Sequence, residues 1–252
     1  MTAQKWLRRA SFVPVAGMAF IATQLVRVVH RPDLPSLSNQ DPSGSWGANG
    51  LPSLRIVALG DSSVTAPGVK PLDDAWVRRV AIDLSDDWKV ELHSVAGGGA
   101  KARDVLAGQV GQAVGLRPGL ALVAIGANDA MRATNLRRFE AEMTQILSKL
   151  SAASRTVVTL GIGDLGTIPR LPPSLAYTVT RRGRLVNDVI RRAADRFENV
   201  APVNPWETMT RFSSKDPRLW ASDLFHASGE GHAIFYQGAI PTIRRALVNQ
   251  DM

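Results

Sequence analysis

From Leu54 onward, short apolar runs alternate with helix-like stretches, and this alternation constrains the fold more than any other feature. Leu54–Gly60, Trp88–Val95, Leu120–Gly126, Thr156–Ile162 and Asn199–Val203 read as strands, rich in Val, Ile, Leu and Ala. Asp74–Leu84, Ala102–Val114, Leu136–Leu150, Ser174–Phe197 and Gly229–Val248 read as helices; the first of them sets Trp76, Val77 and Val80 on one face. Strands separated by helices of this length need crossover connections, which predict a parallel sheet covered on both faces. In the strand order 2-1-3-4-5 the chain reverses direction between the first and third strands, and a crevice opens at their carboxyl ends.

The 45% of hydrophobic residues is enough to fill the core of such a domain. No cysteine is present, which excludes a disulfide, a thiolate nucleophile and a cysteine-ligated metal. The net charge of +8 raises nucleic acid or an anionic membrane as partners. The arginines, however, lie in scattered pairs such as Arg78-Arg79, Arg137-Arg138, Arg181-Arg182 and Arg191-Arg192, without a zinc-finger or RNA-recognition signature. They read as solvated helix faces, and no nucleic-acid partner is expected.

Ahead of the domain, Met1–Arg9 carries Lys5, Arg8 and Arg9 and no acid, and Ala10–Val29 is predominantly apolar. As a helix, those residues would span about 30 Å, the thickness of a bilayer core. Gln24 and Arg27 lie near one end, where an arginine can snorkel to the interface. No A-x-A-like site follows, so an uncleaved membrane anchor is expected over residues 1–30, rather than a cleaved signal peptide or a surface-lying helix. The positive-inside rule puts the amino terminus in the cytoplasm and the remaining chain outside. Residues 31–53 are rich in Pro, Ser, Gly and Asn and read as a flexible tether. The domain itself is expected over 54–252.

Three of the strands end in small or polar turns: Gly60-Asp61-Ser62, Gly97-Gly98-Gly99 and Gly126-Ala127-Asn128-Asp129. Each alone is an ordinary strand-to-helix turn, with Ser62 a helix cap. Together, at one sheet edge, they suggest a site. A serine nucleophile needs a base within reach, and the chain has four histidines. His30 lies before the tether proper, His93 inside a strand, and His232 on the last helix facing core or solvent. His226 lies in the loop before that helix, free to reach the crevice, with Asp223 three residues upstream to orient its ring. The Ser62 and Gly99 backbone N–H groups and the Asn128 amide could serve as oxyanion donors.

Gly60-Asp61-Ser62, Gly99, Gly126-Ala127-Asn128 and Asp223-Leu224-Phe225-His226 resemble the four sequence blocks of the SGNH (GDSL) hydrolase family, over roughly Leu54 to Val248. The resemblance implies a three-layer α/β/α, flavodoxin-like fold with a five-stranded parallel sheet, and serine-dependent chemistry on acyl esters without metal or cofactor. It implies Ser62 as nucleophile, His226 as base and Asp223 as its orienting acid, with Gly99 and Asn128 in the oxyanion hole. The second block departs from the family, with His93-Ser94 where Asn is common, and Gly98 stays an alternative to Gly99. The G-x-S-x-G elbow of α/β-hydrolases is absent.

The expected activity is a membrane-tethered serine esterase acting on a small-molecule, lipid or glycan ester. An O-acyltransferase or deacetylase working on cell-envelope glycans is the nearest alternative, and a non-catalytic binding module a further one. Gly163–Pro173 and Trp206–Trp220 are the expected walls, with Trp206 and Trp220 either lining an acyl pocket or anchoring the core.

Overall fold

The computed structural model describes residues 32–203, 212 and 216–248. The expected anchor over residues 1–30 and Trp206 lie outside the described residues. No helix among the described residues is long and apolar enough to cross a membrane.

Six strands form one sheet: β1 (Gly44–Trp46), β2 (Ser53–Gly60), β3 (Lys89–Ser94), β4 (Leu120–Ala124), β5 (Thr156–Leu160) and β6 (Val200–Val203). Their order is β1-β3-β2-β4-β5-β6. Strands β2 to β6 are parallel and follow the expected order, whereas β1 pairs antiparallel with β3. The expectation of five all-parallel strands is therefore corrected to a mixed sheet of six. The added strand is short, and pairing through the backbone leaves no side-chain alternation to read.

The same strand corrects the expectation of a flexible tether over 31–53. The Gln40 backbone N–H donates to the Thr65 carbonyl at 2.9 Å. Its side chain donates to the Ala66 and Val69 carbonyls. Asn39 accepts from the Thr65 hydroxyl at 2.8 Å, and the Arg78 guanidinium lies 4.8 Å from the centre of the Trp46 ring. Polar composition favours such a stretch as a linker, but these bonds use the same polar groups to bind it to the domain.

The helices are α1 (Ser62–Thr65), α2 (Trp76–Leu84), α3, α4 (Ala127–Met131), α5 (Leu136–Ala153), α6 (Pro173–Ala194) and α7 (Gly229–Val248). Helix α3 starts at Ala102–Asp104, passes through a π-helical turn at Val105–Gln109 and ends as Val110–Gly115. Alternation along β2 sorts the core into two halves. Ile56 and Ala58 pack with Trp76, Val77 and Val80 of α2 and Ala239 and Ile243 of α7. Val57 and Leu59 belong to the other half, with Val105 and Val110 of α3, Phe139 and Met143 of α5, and Val186 and Ile190 of α6. The molecule thus has three layers, as expected. Parallel pairing brings the turns after β2, β3, β4 and β5 to one edge of the sheet.

Candidate active site

Gly60 ends β2 with φ +145°, and an added Cβ would stand 1.9 Å from the Ala124 carbonyl oxygen of β4. Only glycine permits that approach. The Gln109 side chain grips it from the opposite layer, accepting from the Gly60 N–H at 2.8 Å and donating to the Gly60 carbonyl at 2.9 Å. The Gly97 N–H donates to the same carbonyl at 3.1 Å, which ties the triple-glycine turn to the end of β2.

Asp61 follows and is buried. Its carboxylate accepts from the Ser63 N–H at 2.9 Å, capping α1, and from the Asn128 side-chain amide at 3.2 Å. Burial pushes its pKa up, while the bonds from Ser63 and Asn128 pull the other way. Asn128 is buried in α4, and one of its amide hydrogens is held by Asp61; the amide nitrogen carries a second. Gly99 has φ +76°, and an added Cβ there would meet only the Arg132 guanidinium, at 3.7 Å. Gly98 is pressed against Asn39, whose side-chain oxygen would lie 2.1 Å from an added Cβ.

Across the crevice, the Asp223 carboxylate meets His226 Nδ1 at 2.6 Å. Its other oxygen accepts the backbone N–H groups of Phe225 and His226, each at 3.0 Å. Burial alone would raise the Asp223 pKa, but the His226 ring and these two N–H groups hold it below the usual carboxylate value. The turn between them is strained: Leu224 has φ +57°, a left-handed conformation that costs a leucine about 1–2 kcal/mol. Bonds from its N–H to the Ala221 carbonyl at 2.9 Å and from the Arg170 N–H to its own carbonyl at 3.0 Å hold it there.

Two cavities meet where Ser62, Asn128, Met131, Phe225 and His226 line both. The first, about 130 Å³, is walled mainly by apolar groups including Ile125, Leu160, Ile162, Leu165, Ile168 and Phe235. The segment after β5, expected as a wall, supplies Gly163 to Leu165 together with Thr167 and Ile168. Trp220 lines the cavity and is also buried, edge-on to Phe212 at 5.4 Å. It therefore serves both as wall and as core anchor.

The model of the GDSL-like lipase/acylhydrolase family matches residues 58–234. The chain belongs to that family. Ester hydrolysis is its chemistry, and the SGNH (GDSL) resemblance read from the four turns is confirmed. Solved structures with the same fold include TesA, at TM-score 0.63 and 20% identity over 76% of this chain and 99% of that one. LAE5, an alpha/beta hydrolase enzyme from the metagenome of Lake Arreo, Spain, matches at TM-score 0.61 and 18% identity, covering 78% of this chain and 96% of its own. A catalytic mutant of Axe2, an acetylxylan esterase from Geobacillus stearothermophilus, matches at TM-score 0.60 and 16% identity, covering 79% and 96%. No curated protein matches the chain by sequence.

Within this GDSL-type enzyme the remaining histidines stand apart from the Asp223–His226 pair. His93 lies on β3, half-exposed, 3.7 Å from Glu91. His30 is outside the described residues. His232 is buried beside the first cavity, and its Nδ1 accepts the Trp76 backbone N–H at 3.2 Å. Burial first, then the positive charges of His226 and Arg79, push its pKa down to about 3, so it is neutral. Two residues that shape the site are not singled out by the sequence. Gln109 carries a visible signal, a lone amide among Val105, Val110 and Ala113 on the buried side of a helix. Asp61 stands in the Gly60-Asp61-Ser62 block, but its bond to Asn128 leaves no local signal because the partner is 67 positions away.

Proposed function

We propose that this enzyme is a serine esterase in which Ser62 attacks the acyl carbon and His226 takes its proton. Asp223 fixes the ring so that Nε2 faces the serine and stabilises the imidazolium as it forms. The oxyanion is held by the Ser62 and Gly99 N–H groups and the second Asn128 N–H, then His226 protonates the leaving alcohol. Water, deprotonated by the same ring, releases the acid and restores Ser62. The observation that carries this reading is the 2.6 Å Asp223–His226 bond at the rim of a cavity that Ser62 and Asn128 share. The Ser62–His226 link is part of the proposal; such bonds often close only with substrate in place. The positive φ of Gly99, and the crowding of Gly98 by Asn39, favour Gly99 as the glycine donor.

The apolar cavity of about 130 Å³ favours a short hydrocarbon acyl chain. A cavity of roughly 150 Å³ holds benzene, so an acyl group of about four to six carbons fits. That is larger than the acetyl group a deacetylase would remove, and it favours the esterase reading over the glycan deacetylase. A p-nitrophenyl ester series from acetate to dodecanoate tests this, with Ser62→Ala as control. We expect a maximum of kcat/KM near butyrate to hexanoate and loss of nearly all turnover in the variant. Turnover that survives Ser62→Ala and vanishes in Ser63→Ala would move the nucleophile.

We also propose that residues 1–30 anchor the enzyme in a membrane with the catalytic domain outside, supported by the apolar run Ala10–Val29 behind a basic amino terminus. Protease accessibility of the catalytic domain in intact cells tests it; protection by the cytoplasmic face would refute the orientation.

A further inference from the structure

We infer that the enzyme selects esters whose alcohol part is anionic, with Arg132 holding that charge in the second cavity. The inference rests on the assignment of Ser62 as nucleophile. An ester bound there has two arms, and two cavities leave Ser62. The first is apolar and takes the acyl chain. The second, about 420 Å³ and more open, must take the alcohol. Its lining includes Arg132, Arg170, Asn39, Gly98 and Gly99, and none of the described residues lining it is acidic.

Both arginines are attached to the elements that carry the site. Arg132 directly follows α4, the helix of Asn128, and its backbone N–H donates to the Asn128 carbonyl at 3.0 Å. Its guanidinium reaches back over the open face of Gly99, 3.7 Å from where a Cβ would stand. Arg170 is tied through its backbone N–H to Leu224, in the loop between Asp223 and His226. A guanidinium presents forked donors that fit a carboxylate, sulfonate or phosphate. A neutral or cationic alcohol would gain nothing from Arg132, and a cationic one would be repelled.

The test uses the full-length enzyme and three butyryl esters of para-substituted phenols, carrying a sulfonate, a sulfonamide or a trimethylammonium group. At low salt we expect kcat/KM for the sulfonate to exceed that for the sulfonamide by about three- to tenfold, with the ammonium ester poorest. The preference should shrink in 0.5 M salt, as roughly expected for a screened exposed charge. Arg132→Gln should bring the sulfonate-to-sulfonamide ratio close to one, and Arg132→Glu should invert it; Arg132 is exposed, so both variants are expected to fold. A wild-type ratio of one or less, or a ratio that survives Arg132→Glu, overturns the inference. Failure of the underlying assignment looks different: all three esters would continue to turn over in Ser62→Ala.

Discussion

Gln109 holds Gly60 by both of its backbone groups, at 2.8 and 2.9 Å, from a π-helical turn on the other side of the strand. A π turn carries one more residue than an α turn, and such turns recur at functional sites. Here the turn ends on Gln109 and places a side chain that can both donate and accept against the strand end leading into Asp61 and Ser62.

Gln109→Leu tests what that grip does. The variant keeps the volume but leaves the buried Gly60 N–H unpaired, at a cost of about 1–3 kcal/mol, while the Gly60 carbonyl keeps its bond from the Gly97 N–H. We expect urea unfolding to show a loss of that order. We also expect kcat to drop by about tenfold to a hundredfold with a smaller change in KM, since with Ser62 as the proposed nucleophile small displacements of its turn are costly. Gln109→Glu keeps one acceptor and should not restore kcat. A variant that loses stability yet keeps full kcat in its folded fraction would leave Gln109 a purely structural residue.

Asp61 links the turn of the proposed nucleophile to Asn128, the proposed oxyanion donor, through Ser63 on one oxygen and Asn128 on the other. Asp61→Asn retains the shape but can accept on only one oxygen, so its own NH₂ must face one of the two donors. The expected outcome is misorientation of the Asn128 amide and a fall in kcat, within the roughly 10²–10³ that loss of a complete oxyanion donor costs. Steady-state kinetics of Asp61→Asn, Asn128→Ala and the double variant check it. If the two losses multiply in the double variant, Asp61 does not act through Asn128.

The layers and the order of the five parallel strands were legible in the chain because buried strands such as Leu120–Ala124 are unbroken apolar runs with no other reading. That Ser62, Asn128 and His226 line a common cavity was legible because parallel pairing carries the turns after β2 and β4 to one edge, and the Asp223–His226 bond because the two are neighbours in sequence. What stayed hidden depends on backbone geometry or on distant partners. Strand β1 is held by main-chain bonds to β3, which any polar stretch can make. The π turn is a change of register inside a sequence that reads as plain helix. The division of space around Ser62 into an apolar cavity and an arginine-lined one comes from residues as far apart as Leu37 and Phe235.

His232 makes the folded state sensitive to acid. Its pKa is about 3 in the folded protein against an ordinary histidine value of 6.5. A histidine depressed in this way binds its proton more readily when unfolded. It therefore has no effect above pH 6.5 and destabilises the fold as the pH drops, by roughly 1.4 kcal/mol per unit until the folded value is reached. Asp61 works in the opposite sense: its raised pKa makes the folded state take up a proton first, so it partly offsets the loss in acid. The two are separated by comparing urea unfolding of the wild type and His232→Gln from pH 7 to 4. The gap between the curves should narrow as the pH falls, since only the wild type loses the histidine contribution. Parallel curves would mean that His232 is protonated in the fold.

Asp223 ties chemistry to the strained turn. One oxygen holds the His226 ring and the other holds the N–H groups of Phe225 and His226, closing the loop that keeps Leu224 at φ +57°. Its lowered pKa means that the folded state favours the carboxylate. The stability it contributes is present above the unfolded value of 3.8 and is lost as the pH falls through the lower folded value. Asp223→Asn keeps an oxygen for the backbone donors and turns an amide toward His226 Nδ1, where it would select the tautomer with the proton on Nε2, leaving no acceptor for the Ser62 hydroxyl. By analogy with serine proteases, kcat should fall by about 10⁴, with modest loss of stability. Asp223→Ala removes the loop's acceptor as well, so it should add an unfolding penalty of about 1–3 kcal/mol for the orphaned N–H groups. Replacing Leu224 by Gly in the Asp223→Ala background should recover part of that penalty, because glycine adopts the left-handed conformation freely, and should recover none of the kcat. Recovery of kcat by the glycine would mean that Asp223 serves the loop and leaves the imidazole to find its own orientation.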